Sequence, residues 1–282
     1  MSRKEASVRL SNIATRILFA WVVLAVIQII AGMLIPMKAP QGGDLFVWVL
    51  LTNLLIVAVL AVAALRSGWQ GWRLGAALFV IPFGIAFLNM IEGVVFLTHS
   101  GLDWTMLLVY TFAVYAVAAP VWALILRGKN DAIRQPTHES LWGRLGRFAV
   151  ADVTYLILYF SAGLIIFPLV REFYATQTLP PAGEIISLQL LLRGPVFTGI
   201  CLLLMRMLNL KGRAAGALAL GAAFTILSGV APLLIPNAVF PDSVRWVHFC
   251  EVTSSNFVFG AVVAWLWSRP HVAPQPVAAH AV

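Results

Sequence analysis

Long apolar runs separated by short polar connections make up most of the chain. Each run holds enough residues to cross about 30 Å of hydrocarbon at roughly 1.5 Å per residue. The pattern therefore predicts an all-α integral membrane protein with eight transmembrane helices. The predicted helices cover about residues 17–35, 45–66, 74–98, 104–126, 148–170, 185–207, 214–236 and 245–267.

Positive charge alternates between successive connections. Arg and Lys side chains are frequent before the first helix, between helices 2 and 3, 4 and 5, and 6 and 7, and after helix 8. The other connections carry most of the acidic residues and few cations. Cytoplasmic loops of membrane proteins carry the excess of Lys and Arg, so both termini are expected in the cytoplasm of a multi-pass cell-membrane protein.

These features divide the chain into five parts. A basic cytoplasmic N-terminus (1–16) precedes a first four-helix half (17–127), and a cytoplasmic connection (128–147) leads to a second half (148–268). The connection contains the amphipathic segment HESLWGRLGRF, which could form a short interfacial helix before helix 5. The Pro/Ala-rich tail (269–282) is expected to be disordered.

Composition narrows the function classes. The chain is 61% hydrophobic and 11% charged, far from the balance of a soluble domain. Its net charge of +8 lies mostly in the connections, where it orients the protein and attracts anionic lipid headgroups, so nucleic acid is not an expected partner. Cys201 and Cys250 fall at different depths, which excludes a disulfide between them. Both are expected to be buried. Motifs for nucleotides, zinc or an esterase serine do not occur, and no cofactor is expected.

The two halves can be aligned with one another. Residues 42–53 (GGDLFVWVLLTN) resemble residues 182–193 (AGEIISLQLLLR), and residues 71–89 resemble residues 211–229. Four helices are an even number, so two such repeats would share one orientation and be related by an axis along the membrane normal. The alternative is that any two helices rich in Leu, Ala and Gly look alike. The alignment places Asn53 and Arg193 at equivalent positions.

Helix geometry gives further expectations. Prolines inside helices 3 to 7 predict kinks, because proline removes a backbone donor. Small residues repeat every four positions along helix 7 and reach Gly221, which favours close packing against a neighbouring helix. Asp152 is expected near the cytoplasmic end of helix 5.

Polar side chains collect in the outer half of the predicted membrane region. A charge there costs roughly 2.5–3.5 kcal/mol at the bilayer centre unless it is paired, and less towards the interface. We therefore expect Arg193 to pair with Glu251, Glu92 or both. His248, Glu251 and Ser255 share one face of helix 8. The candidate binding residues are Arg193, Glu251, Glu92, His248, Asn53, Asn89, Asn256 and Tyr110.

Three function classes fit this polar layer. A carrier or flippase would use Arg193 to hold a small anionic or lipid-like substrate while a carboxylate exchanges a proton. A membrane enzyme acting on a lipid would use Glu251 as acid or base and His248 as a second base or metal ligand. A non-catalytic partner or sensor subunit would use the charges as latches between helices. A metal site from His248, Glu251 and Glu92 is chemically possible, but Arg193 would oppose a cation, so no metal is expected.

Overall fold

The computed structural model describes residues 3–35, 45–97, 101–128, 140–210, 212–236 and 240–268, with side chains from residue 11 onward. In this part of the chain all regular structure is helical, and eight helices are long and apolar enough to span a membrane. They are α1 (Arg3–Leu34), α2 (Leu45–Ser67), α3 (Gly71–Phe96), α4 (Trp104–Ile125), α5 (Leu141–Tyr174), α6 (Ala182–Leu208), α7 (Arg213–Leu234) and α8 (Asp242–Trp267). This is the architecture of a multi-pass membrane protein. Residues of the C-terminal tail, 269–282, lie outside the described part.

Two helices extend beyond the apolar runs that predicted them. α1 starts at Arg3 and α5 at Leu141, each well before its apolar run. The Ser140 side chain accepts a hydrogen bond from the Gly143 N–H at 3.1 Å and caps the start of α5. From Leu141 onward the expected interfacial segment is the first part of α5, and its first two residues, 138 and 139, lie outside the described residues. The length of an apolar run predicts only the part of a helix that crosses the hydrocarbon. A helix that is capped further out also includes residues of the polar interface.

Two helices contain a π-helical turn just before a proline. In α6 the turn covers Gln189–Arg193 and precedes Pro195, and in α7 it covers Ile226–Val230 and precedes Pro232. In α6 the Gly194 N–H donates to the Gln189 carbonyl, five residues earlier. At Pro82, Pro120 and Pro168 the α-helical assignment continues through the proline. Thus two of the five prolines within the predicted helices follow a π-helical turn, and the other three lie within regular α-helix.

The same kinds of helix pairs pack within each half of the bundle. α1 packs against α2 and α4, and α3 packs against α4; in the second half α5 packs against α6 and α8, and α7 packs against α8. The halves meet where α2 and α3 contact α6 and α7. A core of buried apolar side chains runs through both halves. Its largest fully buried members include Trp122, Phe197, Phe224 and Phe259.

Two arginines hold the last turn of α8 at one side of the bundle. We call this the proximal side, because α1 starts there, and the opposite side the distal side. Arg147 donates to the Leu266 carbonyl at 3.2 Å, and Arg213 donates to the Trp265 carbonyl at 3.4 Å. The Arg213 guanidinium also lies 4.4 Å from the Trp265 ring centroid. Cations at a helix C-terminus satisfy its free carbonyls and complement its dipole, so these arginines fix the end of α8.

A buried arginine closes the α7–α8 connection on the distal side. Arg245 is 4% exposed, and its Nη1 donates to the Leu233 and Leu234 carbonyls, both at 3.1 Å. Its Nη2 pairs with Asp242 at 2.7 Å. The carbonyls lie at the end of α7, where the helix offers them no partner. Arg245 therefore acts as a structural latch, although from sequence it resembles an ordinary loop cation.

We expect Arg245→Ala to lower the free energy of unfolding by about 2–3 kcal/mol, because buried carbonyls lose a charged donor. Thermal unfolding of the detergent-solubilised protein, followed by tryptophan fluorescence, measures the loss. Arg206→Ala is the matched control, since Arg206 is an exposed arginine of α6. A variant at Arg245 that melts with the wild type would contradict the latch.

Candidate functional site

Arg193 lies at the centre of a polar network where the two halves meet. It ends the π-helical turn of α6 and is 5% exposed. The predicted ion pair with Glu92 of α3 is present. Glu92 and Asn89 are three residues apart, so both face α6 from the same side of α3. The Arg193 Nη2 donates to the Asn89 Oδ1 at 3.2 Å.

The network continues from Arg193 onto three further segments. Within α6 the Arg193 Nη1 donates to the Gln189 Oε1 at 3.3 Å. The Asn89 amide reaches the Ser228 carbonyl in the π-helical turn of α7 at 3.5 Å, and the Asn256 amide of α8 donates to the Ser228 Oγ at 2.8 Å. Four helices thus share one set of polar contacts. We call Arg193, Glu92, Asn89, Gln189, Ser228 and Asn256 the Arg193 network.

Aromatic side chains line the Arg193 network on its proximal side. Tyr155, Phe197, Phe224 and Phe259 form a closed ring of contacts with centroids 5.2 to 5.7 Å apart. They come from α5, α6, α7 and α8, each about one turn closer to the proximal side than the polar groups. Phe197, Phe224 and Phe259 are at most 1% exposed. This aromatic floor separates the polar network from the proximal half of the bundle.

Two rings also contact the guanidinium directly. The Arg193 Cζ lies 5.2 Å from the Phe197 centroid and 5.9 Å from the Tyr159 centroid. At these distances an aromatic ring attracts a cation through its quadrupole. Tyr159 also interacts with Glu92. Arg193 therefore keeps its charge in the membrane region through one carboxylate, two amides and two rings.

The two members of the ion pair differ in accessibility. The Arg193 side chain is 6% exposed, whereas the Glu92 side chain is 28% exposed. Glu92 therefore covers Arg193, and a group that approaches from outside the bundle meets the carboxylate first. Glu92 lies in the last two turns of α3, near its distal end.

A second polar group lies nearby and contains His248. Its Nδ1 is 2.6 Å from the Glu251 Oε2, and its Nε2 is 3.0 Å from the Tyr174 hydroxyl. Glu251 pairs with His248 and not with Arg193, which corrects one of the two expected pairings. The physical reason is position on the helix: His248 is one turn away on the same face of α8. We call Tyr174, His248 and Glu251 the His248 chain.

The free oxygen of Glu251 faces α5. A Cβ added at Gly163 would lie 3.7 Å from the Glu251 Oε1, an ordinary contact distance. Gly163 is one turn distal of Tyr159, which contacts the Arg193 network. Glu92 and Glu251 both interact electrostatically with Tyr155 and Tyr174. The His248 chain and the Arg193 network are therefore neighbours along α5.

Comparison of the chain with protein-family models, curated proteins and solved structures gives no match. The geometry of the site is therefore the basis for a function. Among the described residues, no group of three or more His, Cys, Asp and Glu side chains is arranged to hold a metal ion. His248, Glu251 and Glu92 are accordingly divided between two groups.

Asn53 and Tyr110 lie apart from the Arg193 network. Asn53 and Gln28 exchange amide hydrogen bonds between α2 and α1. The Tyr110 hydroxyl of α4 donates to the Gln28 carbonyl at 3.3 Å. These residues join three helices of the first half. Their predicted depth agrees with that of Arg193, but they face a different part of the bundle.

Several contributors were not among the candidates. Gln189 and Ser228 belong to the network, Tyr159 contacts Arg193, and Tyr174 belongs to the His248 chain. Gln189 could have been found, because it is four residues before Arg193. Tyr174 could not be found in this way, because it lies beyond the predicted end of helix 5. Ser228 lies in a run of small residues, and no sequence pattern distinguishes it from its neighbours.

Asp152 lies beside the residue that follows Arg193, and Cys250 differs from expectation. A Cβ on Gly194 would clash with the Asp152 Oδ1. The Asp152 side chain is partly exposed and lies in the first half of α5. Both cysteines are free, but Cys250 is exposed while Cys201 is buried. Cys250 lies on the outward face of α8.

Proposed function

We propose that the protein is a membrane carrier or flippase for a small anionic or lipid-like substrate that binds at Arg193. The observation that carries the proposal is the Arg193–Glu92 pair, in which a nearly buried cation is covered by a partly exposed carboxylate. A static latch would need only this pair. The additional amides, the π-helical turn and the aromatic floor favour a site that exchanges one partner for another.

Charge balance gives the exchange a mechanism. Arg193 and Glu92 together are neutral. When Glu92 takes a proton, Arg193 loses its counter-ion, and a substrate anion restores neutrality in its place. The proton and the anion then bind together and leave together. The His248 chain supports this scheme, because its hydrogen-bonded groups offer a route for protons between the distal end of α5 and the neighbourhood of Glu92.

The proposal extends to orientation and internal symmetry. We propose that both termini lie in the cytoplasm of a cell-membrane protein, which the distribution of positive charge supports, and that the distal side is the outer side. The matching helix pairs of the two halves support two four-helix repeats of the same orientation. In that arrangement Asn53 and Arg193 occupy equivalent positions, and only the second half carries the charge.

A second candidate is an enzyme that acts on a membrane lipid at the outer leaflet. It is favoured by the His248 chain alone, since a histidine between a tyrosine hydroxyl and a carboxylate can transfer protons in either direction. In this function Glu251 or His248 would be the base. A partner subunit with latching charges is the third candidate, and the double variant Arg193→Gln with Glu92→Gln distinguishes it from the other two.

A carrier must open to the proximal side in one of its states, and native Cys201 reports this opening. Cys201 is 0% exposed and lies one turn beyond Phe197, below the aromatic floor. In a Cys250→Ala background we expect a membrane-impermeant maleimide to label Cys201 from the proximal side only. Gly163→Cys, in a background with both native cysteines replaced by Ala, should be labelled from the distal side only. Vesicles of defined orientation and mass spectrometry give both rates.

The rate of labelling decides the outcome. Global unfolding also exposes Cys201, so its rate is measured in parallel by fluorescence. Labelling at least tenfold faster than unfolding supports alternating access. Labelling no faster than unfolding would exclude the carrier and leave the enzyme and partner functions.

A further inference from the structure

The Arg193 guanidinium has one buried N–H group, at Nε, for which no described residue is an acceptor. Its Nη1 is engaged by Gln189 and Glu92 and its Nη2 by Asn89. Its Nε is buried and has no hydrogen-bond partner among the described residues, and the same is true of the Gln189 Nε2. Gln189 is 0% exposed. Buried donors without acceptors are unfavourable, so these two, on side chains that contact each other, point to an acceptor that binds there.

We propose that this acceptor is a monocarboxylate, held by the Nε edge of Arg193 and the Gln189 amide while Glu92 carries a proton. The inference rests on the proposed function and names its substrate class and coupling. A planar carboxylate matches two parallel N–H groups of a guanidinium, and such bidentate pairs are the strongest hydrogen-bonded ion pairs in proteins. The Gln189 amide supplies a further donor beside them.

The charge available at the site selects a monovalent anion. Arg193 is the one cation of the network, and protonation of Glu92 releases a single positive charge. A dicarboxylate or a phosphate dianion would leave one negative charge buried without a partner, which is strongly unfavourable. The Phe197 and Tyr159 rings beside the guanidinium offer apolar surface to the organic part of the ligand.

Other titratable groups face the same region. From α5 these are Tyr155, Tyr159, Tyr174 and Asp152, and from α8 they are His248 and Glu251, which are already paired with each other. Glu92 of α3 is the carboxylate in direct contact with Arg193. The proton that accompanies the anion is therefore assigned to Glu92.

The test measures ligand binding to the purified full-length protein by thermal unfolding and by calorimetry. The probes are lactate, benzoate and octanoate as monocarboxylates, with succinate and inorganic phosphate as competitors of higher charge. We expect the monocarboxylates to raise the melting temperature, and their affinity to rise as the pH is lowered, since one proton is taken up with the anion. Octanoate binding more tightly than lactate would identify a lipid as the source of the carboxylate.

Two substitutions make the test specific. Glu92→Gln mimics the protonated carboxyl, so its monocarboxylate affinity should equal or exceed that of the wild type at low pH and lose its pH dependence. Arg193→Lys keeps the charge but lacks the fork of donors, and we expect at least tenfold weaker binding. Ser254→Ala is the control, because Ser254 is exposed on α8 and bonds only to carbonyls of its own helix.

Three results would overturn the assignment. They are succinate or phosphate binding as tightly as the monocarboxylates, the absence of any monocarboxylate binding, and pH dependence that survives in Glu92→Gln. The labelling of Cys201 needs no ligand and is separate from these results. Labelling of Cys201 from the proximal side and of Gly163→Cys from the distal side, without monocarboxylate binding, would leave the carrier and reject its substrate class. Monocarboxylate binding without labelling of Cys201 would reject the carrier.

Discussion

Arg193→Ala is expected to remove ligand binding and to lower the free energy of unfolding by about 3 kcal/mol. The substitution leaves Glu92 in the membrane region without its counter-ion, and breaking a buried pair costs roughly 3–5 kcal/mol. The lower end applies because the Glu92 side chain is 28% exposed and keeps part of its solvation. Thermal unfolding in detergent and the calorimetric titration with benzoate measure the two effects.

The double variant Arg193→Gln with Glu92→Gln, which replaces the ion pair with two neutral side chains, distinguishes a binding site from a purely structural contact between helices. Removing both charges leaves no uncompensated ion, and a neutral pair of similar volume is often as stable as a buried ion pair. We therefore expect the double variant to recover most of the stability that Arg193→Ala loses. Binding should remain absent, since the anion then has no cation.

The opposite pattern would show that the charges serve structure alone. A double variant that stays as unstable as Arg193→Ala would mean that the network is a latch whose exact hydrogen bonds hold α3 against α6. Arg206→Ala is the control for loss of an arginine on the same helix, because its side chain is exposed. It should change neither stability nor binding.

The membrane crossings were predictable because hydrocarbon imposes a length and an apolar composition on each helix. All eight predicted crossings correspond to helices in the structure. The Arg193–Glu92 pair was predictable for the same reason, since an unpaired charge is costly in lipid. The helix limits were less accurate. The start of α5 depends on the cap at Ser140, which lies outside the apolar run.

The division of the polar residues into separate groups could not be predicted. Counting residues from the end of a helix gives depth alone, and depth predicts that Asn53, Tyr110 and Arg193 lie in one layer. Which residues meet depends on the rotation of each helix and on which helices are neighbours, and the sequence pattern does not define either. Asn53 faces Gln28 of α1, whereas Arg193 faces α3. The π-helical turn in α6 also shifts the rotation of the residues that follow it.

The second large effect is expected at the contact between α7 and α8. A Cβ on Gly221 would lie 2.8 Å from the Phe257 carbonyl oxygen and 3.2 Å from its ring. On the facing helix, a Cβ on Gly260 would lie 3.0 Å from the Gly221 Cα. Because the closest contacts are with backbone atoms, no side-chain rotation can relieve them. The small-residue face predicted along helix 7 therefore packs against a glycine of α8.

Gly221→Ala should therefore lower the free energy of unfolding by about 2 kcal/mol, because overpacking at a rigid contact forces the two helices apart. Gly199→Ala on α6 is the matched control with the opposite expected sign. A Cβ there meets nothing within 4 Å, so the variant gains up to about 1 kcal/mol of helix propensity without a clash. Thermal unfolding of both variants in one detergent measures the difference. Equal melting temperatures would contradict the close approach of α7 and α8, and with it the placement of Ser228 and Asn256 beside Arg193.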